Sequence, residues 1–317
     1  MKRLWHVRFI AQAVLALSCA LLLSLGVMQK EPDFFVVGLH NYVYGTAAHP
    51  PQYTFPDGGR TLFPRYRLVA LYGTPGEPVL GVLGRQATPE QAVATVKGMA
   101  KQYQTLLHEH ILPTFEIIAT IAAADPTDNN DYSSEVDEAV LSAWVATARK
   151  EGVYVVLDLQ PGRSSFLTQA KLYEPLLLQP NVGLALDPEW RLGPSQVPLV
   201  QIGSVGIDEV NSVAVWLASL TATHRLPQKL FLLHEFRTDM LPDRARLDTS
   251  HPQLAYAVQM DGQGSQVEKS NTWQGILASP PPNVHFGWKN FTAKDAPMLT
   301  PQQTAAITPT PWYISYQ

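Results

Sequence analysis

Cysteine is nearly missing from this 317-residue chain: Cys19 is its single example. Beyond the first thirty residues there is none, which excludes a disulfide framework, a thiolate metal site and a thiol nucleophile from the bulk of the protein. A basic excess is missing too. With 23 Lys and Arg against 27 Asp and Glu the formal net charge is −4, and nucleic acid finds no basic face to meet. No G-x-G-x-x-G follows the first strand-like run and no phosphate-binding lysine loop occurs anywhere. The G-x-S-x-G elbow is absent, which disfavours acyl transfer. The histidines are scattered without H-x-x-x-H spacing, so no metal and no cofactor is expected.

What is present begins with an apolar run. Lys2, Arg3, His6 and Arg8 precede a stretch from Phe9 to Met28 broken only by Gln12, Ser18, Ser24 and Gly26. A basic flank before such a run is the pattern of an export signal or of a single membrane anchor oriented positive side in. Ser24-Leu-Gly26 supplies small residues at signal-peptidase spacing, so residues 1–30 are expected to be a cleaved signal or a retained anchor. Cys19 fits a lipidation box poorly, because Ala20-Leu-Leu-Leu23 carries the apolar stretch onward. Residues 31–64, rich in Pro, Gly and aromatics without periodicity, read as a linker or strap. The expectation is an exported protein, secreted or held at the outer face of a membrane.

From residue 65 to 317, short apolar runs alternate with helical patterns. Arg67–Tyr72, Thr114–Ile121, Val153–Asp158, Val182–Asp187, Lys229–His234, Leu254–Asp261, Val284–Trp288 and Trp312–Gln317 read as eight strands. Thr88-Pro-Glu-Gln91 and Thr300-Pro-Gln-Gln303 read as capped helix starts with proline at the first helical position. Further helices are expected from a Ser133 or Ser134 cap to Gly152, over Phe166–Leu178, from Asp208-Glu209 to Thr223, and over Val267–Leu277. Eight strands alternating with helices over this length predict an α/β fold, a (β/α)8 TIM-type barrel. An open doubly wound sheet is the rival.

Several strands end on a polar residue: Asp158, Asp187, His234 and Asp261. A carboxylate closing an apolar run must sit at the sheet's rim or be paired, since burying it alone is costly. Recurring on strand after strand, such residues converge at the carboxyl edge, where barrels keep their sites. Asp187 and Glu189 are two apart and share a face of an extended chain, as do Asp158 and Gln160. Parity does not choose between His234 and Glu235. Glu116 lies earlier on its strand and is expected deeper and paired. Each residue also has a structural use: Asp158 against Arg163, Asp187 against Arg191, Asp261 in a turn before Gly262. Trp190, Trp288 and Trp312 suit either sugar stacking or core packing.

The run Gly183-Leu-Ala-Leu-Asp-Pro-Glu-Trp190 resembles the end of the fourth strand in chitinase-like (family 18) glycosidases, although Ala185 stands where that family has an Asp. The resemblance implies Glu189 as general acid and Asp187 as the neighbour that orients a substrate amide. Over nearly the whole domain the chain also looks similar to an uncharacterised family of bacterial envelope and lipoprotein-like proteins. That likeness rests on Tyr72-Gly-Thr-Pro, Phe115-Glu-Ile-Ile-Ala119, Leu157-Asp-Leu-Gln-Pro-Gly-Arg163, Ala185-Leu-Asp-Pro-Glu-Trp190, Leu233-His-Glu-Phe-Arg237 and Met260-Asp-Gly262.

The expected function is a glycoside hydrolase-like enzyme acting on an extracellular or envelope polysaccharide. Glu189 is its acid, Asp187 or Asp158 the partner, and Tyr72, Glu116, Gln160, Arg163, His234, Asp261 and Trp288 line the substrate site. The alternatives are a non-catalytic glycan-binding or envelope-organising protein, and a metal-dependent phosphodiesterase built on the same oxygen ligands. The expected partner is a carbohydrate or other polar small molecule. The membrane is a second partner if the N-terminal segment stays uncleaved.

Overall fold

Eight of the apolar runs become the staves of a closed barrel in the computed structural model, which describes residues 53–317. The strands are β1 (Tyr66–Gly73), β2 (His110–Ala122), β4 (Tyr154–Leu159), β5 (Val182–Leu186), β6 (Lys229–Glu235), β7 (Leu254–Met260), β8 (His285–Asn290) and β9 (Tyr313–Tyr316). Each pairs in parallel with its neighbours and β9 returns to β1, so the barrel sheet has no free edge. An extra short strand, β3 (Ser133–Glu135), pairs antiparallel with the upper end of β2. This is the (β/α)8 architecture, and the open-sheet rival falls with the β1–β9 pairing.

The outer layer holds α1 (Pro89–Gln104), α2 (Glu138–Lys150), α3 (Phe166–Leu172), α4 (Glu174–Leu177), α5 (Ile207–Thr223), α6 (Gln266–Leu277) and α7 (Pro301–Ala305). Two of the expected helix boundaries move, and the end of the first helix is now fixed. The expected Ser133 cap is instead part of β3, and Asp137 caps α2 by accepting from the Ala139 amide. The helix expected over Phe166–Leu178 breaks at Tyr173, next to Pro175, which has no N–H to continue the ladder. The first helix stops at Gln104 because β2 begins early, and Gln104 accepts from the Ile111 amide.

The side-chain alternation of each strand divides two cores. Leu71, Phe115, Leu157, Leu184, Phe231, Val258 and Trp288 face outward against the helices. Inside, Leu68, Ala70, Val156, Ala185, Leu232 and Ala257 fill the amino-terminal half of the barrel. Phe55, Leu62 and Phe63 join that inner cluster. Residues 53–64 therefore plug the amino-terminal mouth, tied down by the Leu62 and Phe63 amides donating to Gln228 Oε1 at 2.8 and 3.3 Å. The signal or anchor expected over 1–30, Cys19, and residues 31–52 of the expected linker lie outside the described residues. Among the described residues no helix is long and apolar enough to cross a membrane. With the amino-terminal mouth plugged by apolar side chains, the carboxyl end is left for polar groups.

Candidate functional site

Strand register decides which side chains enter the barrel. His234 lies beside Gln259, and Glu235 beside Met260, which packs in the outer core. His234 therefore points inward, and Glu235 points outward to Arg244, which donates to both of its oxygens at 2.9 and 2.7 Å. The same test corrects Trp288: it lies beside Met260 and turns outward, its ring 5.7 Å from that of Trp273. Its neighbour Lys289 takes the inward position. The sequence reading ended this strand at Trp288, whereas it runs on to Asn290.

Inside the carboxyl half, one polar network joins side chains from seven of the eight barrel strands or their ends. His234 sits with Nε2 2.7 Å from Glu116 Oε1 and Nδ1 2.8 Å from Asp261 Oδ2. Tyr313 donates to the other Glu116 oxygen at 3.0 Å. Lys289 Nζ lies 3.0 Å from Asp261 Oδ1 and 3.5 Å above the centre of the Tyr72 ring. Tyr72 in turn donates to Asp158 Oδ2 at 2.9 Å. Glu116 is thus deep and paired, as expected from its place in the strand. Tyr313 and Lys289 were not singled out in the sequence. Both lie on inward parity once the strand ends are fixed.

Five carboxyl groups (Glu116, Asp158, Asp187, Glu189 and Asp261) face two cations, so they cannot all ionise cheaply. Burial works against a charged His234, yet Glu116 and Asp158 together with the bonds to Asp261 and Glu116 hold it well above the ordinary histidine range. The imidazolium then donates from both nitrogens. Burial opposes the charge of Asp261 as well, but Lys289 and His234 outweigh it and keep this carboxyl below its usual value. Asp158 goes the other way, pushed up to about 6 by burial with Glu116 adding to it. Asp187 is raised well above its ordinary value by burial and by Glu189 and Asp158 nearby. Glu189 rises to about 7, through burial first and then the charge of Asp261.

Above the network opens a cavity of about 680 Å³, larger than three others on the barrel of about 460, 430 and 310 Å³. Tyr72, Gln160, Asp187, Glu189, Asp261 and Lys289 contribute its polar surface. Glu189 rides on a 3-10 turn, Pro188–Trp190, directly after β5. That turn is clamped from behind: the Gly203 amide donates to the Glu189 carbonyl at 2.6 Å, and a Cβ on Gly203 would come within 2.5 Å of the Arg191 carbonyl. Among the described residues the Glu189 carboxyl has no hydrogen-bond partner, and Asp158 Oδ1 and Asp187 Oδ1 are buried without one. Of these, Glu189 and Asp187 line the cavity and can meet a ligand there. Asp158, like Glu116 and His234, was expected in the site but is buried beneath the lining and supports it instead.

Two other predicted residues serve the frame. Gln160 touches the cavity but accepts from the Ala122 amide at 3.1 Å and ties β4 to β2. Arg163 does not reach the cavity; it donates to the Gln196 carbonyl at 2.9 Å and lies 4.3 Å over the Tyr132 ring. Neither structural pairing foreseen for the aspartates forms, since Arg191 pairs with Glu209 at 3.0 Å. Trp190 lines the cavity, whereas Trp312 stacks near Phe63 and His285 at the plugged end.

Asp187, His234 and Asp261 bring ligand-type atoms within 4.8 Å of one another. Both His234 nitrogens are already engaged, and the Lys289 ammonium occupies the place beside Asp261. A divalent ion would have to displace that ammonium and break a hydrogen bond of the ring, so the donor set suits an internal cation better than a metal.

No known family model matches the chain, and no curated protein matches it. Among solved structures the chain is similar to a xylanase–α-amylase inhibitor protein in complex with trehalose, at 12% identity and a TM-score of 0.45, over 79% of this chain and 93% of that one. A second form of that inhibitor gives 11% identity and 0.44 over the same shares.

Proposed function

We propose that the cavity binds a carbohydrate and that Glu189 acts as a general acid on its glycosidic bond. The observation that carries this reading is the pair of opposed environments in one cavity. Glu189 is raised to about 7 and keeps its proton near neutrality, while Asp261 is held ionised by Lys289 and His234. Glycoside hydrolysis asks for that division, one carboxylic acid and one carboxylate. Glu189 would give its proton to the leaving oxygen as the sugar ring gains positive charge. The ionised Asp261 faces that charge. Asp187 and Asp158, first considered for the partner's role, are both shifted toward the protonated form; a protonated Asp187 instead offers a hydrogen bond to a substrate carbonyl or hydroxyl.

A non-catalytic glycan-binding protein is the second reading, favoured by a specific observation. The oxygens of Asp261 are already taken by His234 and Lys289, and those of Glu116 by His234 and Tyr313. Such a closed network stabilises a binding floor as readily as it serves turnover.

Product release from a panel of envelope glycans separates the two. Wild type should cleave, with a rate that falls as the pH rises through about 7, because Glu189 loses its proton there. Glu189→Gln should lose roughly 10²-fold or more of the rate, the scale of a missing general acid, while still binding sugar. Binding without cleavage in both proteins establishes the binder. Cleavage by Glu189→Gln at the wild-type rate removes Glu189 from the acid's role.

A further inference from the structure

The mouth of this cavity differs in chemistry from its floor. Leu80, Ile121, Trp190, Leu199, Ile202 and Phe236 make part of its lining apolar, all on loops, turns or strand ends at the carboxyl edge of the barrel. Gln263 and Lys294 keep another part polar. Leu199 is 77% exposed, Ile202 41%, and Val200 between them 73%. Isolated apolar side chains on a surface need no account, but a run of three beside a charged cavity does. The backbone adds to the case. Leu199 has φ 66°, the left-handed region that a leucine seldom adopts, so the loop spends conformational energy to hold an apolar side chain out in water.

The loop is not loosely hung. Its Leu192 amide donates to the Gly162 carbonyl at 2.7 Å, Gly203 to Glu189 at 2.6 Å and Ser204 to Arg191 at 3.0 Å. The stretch that displays Leu199 and Ile202 is therefore fixed to the same turn that carries Glu189. A ligand whose polar part reaches Glu189 has its other end directed along this apolar edge.

We infer that the site takes an amphiphile, a glycoconjugate with a hydroxyl-rich head for the floor and an alkyl chain that lies over Leu199, Ile202 and Phe236. The inference rests on the carbohydrate reading of the floor and narrows it to a lipid-linked sugar, against a free polysaccharide. The polar groups of the floor match hydroxyls. Gln263, Thr272, Lys294 and Gln317 also line the cavity, and it is the loop of Leu199 and Ile202 that offers a hydrocarbon chain a surface of its own. Water leaves both the chain and the loop when they meet, and the gain grows with each methylene buried.

Titration calorimetry with n-alkyl β-glucosides from hexyl to nonyl, each below its micelle concentration, tests the idea on the barrel as it exists. Wild type should bind the nonyl member at least about ten-fold more tightly than the hexyl member, the increment from roughly half-burying the added methylenes. Leu199→Asn with Ile202→Asn should flatten that slope, and asparagine tolerates the left-handed position. Affinity independent of chain length, an equal slope in both proteins, or no binding of any member overturns the inference. Sedimentation with lipid vesicles that depends on Leu199 and Ile202, without uptake of single amphiphiles, also overturns it, in favour of a bilayer contact. The chain-length slope reads the mouth and product release reads Glu189, so either idea can fail while the other stands.

Discussion

Arg244 shows how much a single side chain holds at the residue scale. It fastens Glu235, fully buried on the outer face of β6, and reaches across to the Ile276 carbonyl at the end of α6. Removing one partner of a buried pair is far more damaging than replacing both, because the survivor stays desolvated. Arg244→Met should cost about 3–5 kcal/mol in urea unfolding, and adding Glu235→Leu should return part of it. Burial already pushes Glu235 up to about 7 against the pull of Arg244. Without that pull the folded carboxyl must keep its proton while the unfolded one releases it, so the variant should lose further stability as the pH rises above about 4.3. A loss under about 1 kcal/mol, flat with pH, would show that Arg244 is not the partner that matters. The sequence revealed such residues unevenly. Asp158, Asp187 and Asp261 were legible because each closes an apolar run, and that position alone puts a carboxylate at the rim. His234 and Glu235 are adjacent, and only their neighbours Gln259 and Met260 on β7 say which turns inward. Lys289 went unseen because its strand was ended at Trp288, two residues too soon, and the face of Trp288 is decided only by its place beside Met260 on β7.

The strands were legible as elements because burial on both faces leaves near-continuous apolar runs, and a short run flanked by turn residues has few other uses. Helix starts with a Thr cap and proline were legible for the same local reason. β3 was not: Ser133-Ser-Glu135 carries no apolar signal and is a strand only because β2 extends far enough to pair with it. Closure itself was an inference from counting, and β9 is where it is decided. Tyr313 and Ile314 are fully buried, and β9 bonds to both β1 and β8. Ending the chain after Pro311 would strip these contacts and bare two strand edges. The shortened protein should aggregate, or unfold at least about 10 °C below the full chain by calorimetry, given the core burial lost. A shortened protein that stays soluble and melts unchanged would mean that the barrel does not depend on this strand for closure.

For the whole molecule we propose export, with the Lys and Arg flank and the apolar run Phe9–Met28 as its carrier. Fusing residues 1–40 to a reporter that works only outside the cytoplasm should give activity; a silent, cytoplasmic reporter refutes the proposal. The mass of the mature protein then tells a cleaved signal from an anchor. The order of the strands bears on the same journey. Each barrel strand, β1 beside β2 included, lies next to the strand that follows it, but the other edge of β1 must wait for β9, from the far end of the domain. Contacts of such sequence separation pay their loop-closure entropy before they return anything, and they slow folding. The seam between β1 and β9 is thus expected to close late in the folding of the barrel. Until it forms, β1 and β9 each keep a bare edge, and under the proposed export that open sheet is what must be kept from pairing with another chain.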